Sequence, residues 1–149
     1  MIYYYTYESR APVSPQVAWD WITSVDGISK EMSPLLRMTA PKGVKKITDV
    51  EITLGRPIFK SWLLLFCVIP VDYSHVTLVK FDDGLSFTES SKMGSMKLWK
   101  HRREVIESES GCLIRDILEF EPVFASSAVA WCVNFLFKHR GRRLRRFIQ

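Results

Sequence analysis

The sequence has few cysteines, and their spacing suits neither a disulfide nor a metal site. Cys67, Cys112 and Cys132 are the only three in 149 residues, and each lies among apolar neighbours. They form no CxxC pair and have no histidine at ligand spacing. We therefore predict reduced thiols in the core, a pattern that favours a cytoplasmic location.

Apolar runs long enough to cross a bilayer are also missing. The longest apolar stretches are Trp62–Val71 and Val123–Phe137, and both are shorter than the roughly 20 residues that a membrane helix requires. The N-terminus has no basic segment before an apolar core, so we expect no signal peptide.

The sequence contains none of the common motifs for catalysis or metal binding. It has no GxSxG nucleophile turn, no Cys/His pairing and no Gly-rich phosphate loop. Its three histidines, His75, His101 and His139, fall on different predicted elements without ligand spacing. We therefore predict no metal, no cofactor and no identifiable catalytic residue.

The net charge of +5 is concentrated at the C-terminal end. Six basic residues fall within the last twelve positions, whereas the rest of the chain is nearly neutral. These charges can complement the dipole at the end of a helix, or attract anionic lipid headgroups at roughly 1 kcal/mol per residue. Nucleic-acid binding is not expected, because the body offers no second basic face.

Length and patterning predict one domain over residues 1–149 with a mixed α+β order. Aromatic residues make up 13% of the chain, so large rings must fill a core or line a cavity. A helix is expected to begin at Pro15 behind the N-cap Ser14, and a second short helix to follow it. The predicted strands are Ile2–Glu8, Ile47–Leu54, Ile58–Ile69 (closed by Pro70), Asp72–Phe81, Leu85–Ser91, Met96–Glu107 and Cys112–Glu121, and a long helix follows Pro122.

The last two predicted strands allow a register to be derived. A two-residue loop at Glu109-Ser110 gives three cross-strand pairs of opposite charge, namely Arg103 with Asp116, Glu104 with Arg115, and Lys100 with Glu119. Alternation then places Arg103 and Asp116 on the apolar face. The sequence thus predicts a partly buried ion pair between them.

The final helix has one apolar stripe at helical spacing. Its members are Val129, Val133, Leu136, Phe137, Leu144 and Phe147. Trp131 and Phe135 add apolar surface beyond this stripe in the first half of the helix. We therefore expect the first half to be deeply buried and the second half to lie on the surface with one apolar edge.

Several segments together resemble the SRPBCC superfamily, which comprises START-like, polyketide cyclase/dehydrase and lipid-transport proteins. They are the segment from Ala11 to Trp19, Phe87 and Gly94, the strand with Trp99, His101 and Arg103, then Gly111, the run from Asp116 to Pro122, and the segment from Phe137 to Leu144. The chain departs from the family pattern in having Cys112 for a threonine and Phe120 for a tyrosine.

The resemblance implies an α+β helix-grip (START-like) fold. This fold has a seven-stranded curved antiparallel sheet, two short N-terminal helices and a long C-terminal helix, with an elongated cavity between sheet and helix. Binding or transport of a small hydrophobic, lipid-like or polycyclic ligand is the implied function. The expected pocket residues are Phe87, Glu89, Trp99, His101, Arg103, Asp116, Leu118, Phe120, Trp131 and Phe135.

The roles of the polar residues expected in the pocket remain open at this point. Arg103 or His101 can orient a polar group of the ligand, or Arg103 and Asp116 can brace the hairpin as a structural ion pair. Glu89 can point inward as a general base or lie at the sheet edge. A cyclase- or hydrolase-like enzyme would use Glu89, His101 and Asp116 together.

The run Trp62–Ile69 is apolar on both faces of a strand. It fits a covered core strand, a dimer face or a membrane-docking surface equally well. The predicted partners are therefore a small hydrophobic ligand and an anionic membrane surface, and the chain is expected to be a monomer or a homodimer.

Overall fold

The structure, a computed structural model, describes residues 1–148. Its helices are α1 (Pro15–Ile22), α2 (Val25–Met32) and α3 (Ser126–Phe147), and a single 3₁₀ turn covers Ile47–Asp49. Its strands are β1 (Tyr3–Ala11), β2 (Leu36–Met38), β3 (Pro57–Leu65), β4 (Ile69–Asp82), β5 (Ser86–Ser90), β6 (Lys92–Met93), β7 (Met96–Ser108) and β8 (Gly111–Pro122).

Side-chain caps define the starts of the two short helices. The Ser14 hydroxyl accepts a hydrogen bond from the Val17 amide at 3.3 Å, and Pro15 occupies the first turn of α1. The Ser24 hydroxyl accepts from the Gly27 amide at 2.8 Å at the start of α2. A side chain at Gly27 would place its Cβ 2.4 Å from the Trp21 carbonyl oxygen, so only glycine lets α2 approach α1 this closely.

The strands form one curled antiparallel sheet in the order β1-β8-β7-β5-β4-β3-β2, and β6 pairs with β4 beside this path. The long helix α3 packs against this sheet. The seven strands of the main path, the two short helices and the C-terminal helix confirm the predicted helix-grip fold. The short strands β2 and β6 are additions to the predicted strands.

The hairpin of β7 and β8 has the predicted register. Arg103 lies opposite Asp116, and Lys100 lies opposite Glu119. The ion pair is buried more completely than expected, because Arg103 is only 1% exposed. Its face also carries the buried Leu118 and Phe120, so alternation along both strands places a charged pair inside an apolar layer.

The predicted strand Ile47–Leu54 is wrong. A 3₁₀ turn covers Ile47–Asp49, and no strand forms over residues 50–54. The Asp49 carboxylate accepts hydrogen bonds from the amides of Lys45 and Lys46 at 2.9 Å each. This local side-chain-to-backbone capture competes with strand pairing and outweighs the alternating pattern that follows.

The predicted strand Ile58–Ile69 is interrupted by a hairpin turn. Phe66 and Cys67 at this turn have positive φ angles of 50° and 67°, and Pro70 belongs to β4 instead of closing the strand. Pro70 pairs only with Leu64 of β3. A residue without an amide hydrogen is tolerated there, because β4 has no other partner strand at that point.

The burial pattern of α3 also differs from the prediction. Trp131 is 65% exposed and Phe135 45% exposed, and their rings stack on the outside at a centroid distance of 5.5 Å. Arg140 and Leu144 in the second half are buried. The sheet and α2 together cover one stripe of α3, so apolar residues outside this stripe gain no cover.

The cysteines differ in their surroundings, although all three are free thiols as predicted. Cys112 is buried, and burial raises the pKa of its thiol. Cys67 is half-buried and Cys132 is exposed. The prediction of core thiols therefore holds for Cys112 alone.

Candidate functional site

A cavity of about 440 Å³ lies between α3 and the sheet. Its apolar walls include Leu63, Met96, Val133 and Phe137. Exposed apolar residues from two elements line its mouth, and buried polar groups line its deep end. This division gives the cavity an apolar body and a charged end.

A second, smaller cavity of about 80 Å³ lies beyond the charged end. Glu89, His101 and Arg140 line both cavities, so these three side chains form part of the wall between them. Met38 of β2 is also shared. Any molecule in the large cavity would meet these polar groups at its inner end.

Arg103 is the centre of a buried ion-pair network. Its Nη1 donates a hydrogen bond to Glu31 Oε2 at 3.1 Å, and its Nη2 donates one to Glu31 Oε1. Its Nε lies 2.9 Å from Asp116 Oδ1. Glu31 comes from α2 and is 0% exposed. One guanidinium on β7 thus contacts two carboxylates on separate elements.

This network fixes the charge states of its members. Burial alone would raise the pKa of Asp116, but Arg103 and the hydrogen bond with His101 hold that pKa well below its ordinary range. Burial alone would lower the pKa of Arg103, but Asp116 and Glu31 raise it overall. Asp116 is therefore a carboxylate and Arg103 a cation at neutral pH.

His101 lies between two carboxylates. Its Nε2 is 2.6 Å from Asp116 Oδ1, and its Nδ1 is 4.0 Å from Glu89 Oε1. Glu89 points inward and lines both cavities, and it accepts a hydrogen bond from the Ser91 hydroxyl at 2.5 Å. The imidazole is therefore oriented by Asp116, with its other nitrogen facing Glu89.

The predicted pocket residues separate into three groups. Glu89, Trp99, His101, Trp131 and Phe135 line the large cavity, and Phe87 and Arg103 line only the small one. Asp116, Leu118 and Phe120 are not among the described residues that line either cavity. These three are buried behind the wall, where Phe120 packs against Tyr3 and Trp99.

Two site residues, Glu31 and Arg140, are missing from the sequence-based prediction. Arg140 is one of the six basic residues at the C-terminal end, for which the sequence predicts a helix-dipole or lipid contact, and Glu31 lies in a segment without a clear pattern. A signal for Arg140 is nevertheless present in the sequence. Arg140 follows Phe137 by three residues and precedes Leu144 by four, so it falls in the apolar stripe of α3.

We expect Asp116→Asn to destabilise the fold by about 2 kcal/mol at pH 7, because it removes a charge that pairs with Arg103 and His101. The folded pKa of Asp116 is lowered, so its contribution is complete above the ordinary carboxyl pKa of about 4 and is lost progressively as pH falls from there through the folded pKa. The difference between the wild type and the variant should therefore shrink below pH 4. Urea unfolding at pH 7 and pH 3 measures it.

Glu119→Gln on the outer face of β8 is the matched control for Asp116→Asn, since Glu119 belongs to the opposite face of the same strand. It should change the free energy of unfolding by less than about 0.5 kcal/mol. A destabilisation by Asp116→Asn of the same size at both pH values would contradict the ionised, ion-paired state of Asp116.

Comparison with known families gives one match that spans nearly the whole chain. Residues 9–148 match the family model described as "Domain of unknown function (DUF8410)". The chain belongs to this family. No curated protein matches the sequence of this DUF8410 domain.

Solved structures support the fold assignment of the DUF8410 domain. A protein from Chromobacterium violaceum aligns with a TM-score of 0.71 at 8% identity, covering 97% of this chain and 96% of that one. A START superfamily protein from Mycobacterium smegmatis gives a TM-score of 0.64 at 8% identity, with coverages of 99% and 96%. Ara h 8.0201 gives 0.65 at 11% identity, with coverages of 99% and 98%. These likenesses confirm an SRPBCC-type, START-like fold.

Within residues 1–148, no helix is both long and apolar enough to span a membrane. In the same residues, no three His, Cys, Asp or Glu side chains are grouped as metal ligands would be.

Proposed function

We propose that the DUF8410 domain binds a small hydrophobic ligand, lipid-like or polycyclic, in the 440 Å³ cavity without transforming it. The observation that carries this proposal is the cavity itself, which is apolar along its body and has a few polar groups at one end. Small-molecule sites typically have volumes of about 300–1,000 Å³ and this distribution of polarity.

Two further observations support the proposal. The structures similar to this chain include a START superfamily protein, so the scaffold is one on which ligand binding is a reasonable expectation. The mouth of the cavity is also lined by exposed apolar side chains, which suits the uptake and release of an apolar molecule. We further propose a cytoplasmic location, because the three cysteines are free thiols.

Catalysis is a second candidate function, favoured by the contact between His101 and Asp116. An imidazole oriented by a carboxylate can act as a general base, and Glu89 faces its other nitrogen. Medium-chain nitrophenyl esters would serve as test substrates. Turnover that is lost in His101→Gln would favour the enzyme, whereas binding without turnover would favour the carrier.

We expect a neutral, environment-sensitive naphthalene probe to bind the protein with one-to-one stoichiometry and a Kd in the micromolar range, roughly −8 kcal/mol. Transfer of the apolar probe from water into the cavity drives the binding. A fluorescence titration measures the Kd and the stoichiometry. Linear, non-saturating fluorescence up to about 1 mM probe would contradict the proposal.

A further inference from the structure

Arg140 occupies an unusual position for a charged residue. It lies on α3, is only 7% exposed, and lines both cavities. Its guanidinium carbon is 4.9 Å from the centroid of the Phe137 ring. Its Nε is buried without a hydrogen-bond partner among residues 1–148.

The carboxylates around Arg140 are already engaged by other groups. Both oxygens of Glu31 accept from Arg103, and the closest approach of Glu31 to Arg140 Nε is 3.5 Å. Asp116 Oδ1 contacts both Arg103 and His101. Burial and the nearby charge of Arg103 lower the pKa of Arg140, whereas Glu31, Asp116 and Glu89 act in the opposite direction. Arg140 shares Glu31 with Arg103.

We propose that Arg140 binds the carboxylate of an acidic ligand whose apolar body fills the large cavity. This inference rests on the proposed function and specifies its ligand class. A guanidinium matches a carboxylate with paired donors, and such charge-assisted hydrogen bonds are stronger than neutral ones. The apolar walls beyond Arg140 suit a fatty-acid-like or arylalkanoic chain.

Three carboxylates and His101 surround the two guanidiniums at the charged end of the cavity. Glu31, Glu89 and Asp116 are three carboxylates against the two guanidiniums of Arg103 and Arg140. His101 has one ring nitrogen toward Asp116 and the other toward Glu89.

The test compares two ligands of equal chain length, decanoic acid and decan-1-ol, in competition with the neutral naphthalene probe. We expect the wild type to bind the acid at least about tenfold more tightly than the alcohol. In Arg140→Met, the affinity for the acid should fall to that for the alcohol. The affinity of this variant for the alcohol should stay within about threefold of the wild-type value. Lys138→Met, at an exposed position of the same helix, should keep the preference for the acid.

The outcomes separate the two levels of the proposal. Equal affinities of the wild type for acid and alcohol would overturn the inference but leave hydrophobic binding standing, and so would an acid preference that persists in Arg140→Met. Failure of both ligands to displace the probe would instead count against the proposed function. Equal wild-type affinities for acid and alcohol would overturn the inference even if Arg140→Met fails to fold.

The outer surface around the mouth of the cavity is apolar. Exposed apolar side chains from the β3–β4 hairpin and from α3 lie together here, and we call them the apolar rim. It comprises Leu65, Phe66, Val71, Trp131 and Phe135, all of which line the cavity. Phe66 is 61% exposed. Its backbone has a positive φ angle, a conformation that bulky residues rarely adopt.

The exposed face of α3 continues the apolar rim with positive charge. Trp131, Phe135, Lys138 and Arg142 follow one another at intervals of four, three and four residues, so they share one face of the helix. All four are exposed. The 22 residues of α3 contain no aspartate or glutamate, so no acidic residue of the helix offsets this charge.

We infer that the apolar rim docks on an anionic lipid bilayer, with the basic end of α3 on the headgroups. An apolar edge next to Lys and Arg is the pattern of helices that lie in a membrane interface. Each basic residue close to an anionic leaflet adds to the attraction. The docked orientation would open the cavity toward the lipid.

Co-sedimentation with vesicles tests the docking, with phosphatidylcholine alone compared to phosphatidylcholine containing 30 mol% phosphatidylserine. We expect at least fivefold stronger binding to the anionic vesicles, weakened by 0.5 M salt. Phe66→Asp with Trp131→Asp should abolish it. Leu85→Asp, at an exposed apolar position in the β4–β5 turn, should not.

Two results would overturn the docking proposal. One is equal or absent binding to both kinds of vesicle. The other is a stable dimer in light scattering that Phe66→Asp with Trp131→Asp dissociates, because the apolar rim would then be covered by a second copy of the chain.

Discussion

Arg103→Met should lower the free energy of unfolding by about 3–5 kcal/mol, the largest stability effect we expect from a single substitution in this protein. The variant keeps the volume of the side chain but leaves the carboxylates of Glu31 and Asp116 buried without their main cation. Removing one partner of a buried ion pair costs this much, because the remaining charge has no compensation. Urea unfolding followed by circular dichroism measures the change.

Lys100→Met is the matched control for Arg103→Met. Lys100 lies on the same strand, but on the exposed face, so its substitution should change stability by less than about 0.5 kcal/mol. A cost below about 1 kcal/mol for Arg103→Met would contradict a central role for this guanidinium.

The second large effect concerns ligand binding. Val133→Trp should weaken binding of the neutral naphthalene probe at least about tenfold, because Val133 points from α3 into the large cavity and an indole would occupy the space of the ligand. Overpacking a filled core usually costs 1–3 kcal/mol. Since the indole enters an open cavity, we expect a smaller loss of stability here. Probe titration and thermal unfolding measure the two effects.

Ala128→Trp introduces the same side chain at an exposed position of the same helix. It should leave the Kd of the probe within about twofold of the wild-type value. Unchanged probe binding in Val133→Trp would place the bound probe outside the cavity.

The parts of the fold that the sequence predicted best are those determined by local periodicity. The register of β7 and β8 followed from the turn and from the charge pair of Arg103 and Asp116. Ser14 and Pro15 marked the start of α1. Each of these features depends on residues close together in the chain, so the pattern contains enough information to place them.

The errors arose where contacts between distant elements decide the outcome. The exposure of Trp131 depends on which stripe of α3 is covered by the sheet and α2, which no periodicity within the helix reveals. The alternation after Ile47 suggested a strand, but the capture of two amides by Asp49 formed a turn instead. Composition and hydrophobicity along one segment could not resolve either case.

The candidate site was predictable in part for the same reason. His101 and Arg103 were placed on the inner face by alternation along β7. Glu31 and Arg140 join them only because α2 and α3 pack over the end of the same sheet. The charged end of the cavity is therefore a product of tertiary packing, and a single sequence contains little sign of it.

The most direct test of the ligand-binding account is a crystal structure of the protein with a terminally brominated decanoic acid. The anomalous signal locates the bromine independently of the fit of the chain. The account predicts one strong peak in the cavity between Met96 and Val133, with the carboxylate directed toward Arg140. A peak only at surface positions, with the cavity unoccupied at saturating ligand, would contradict it.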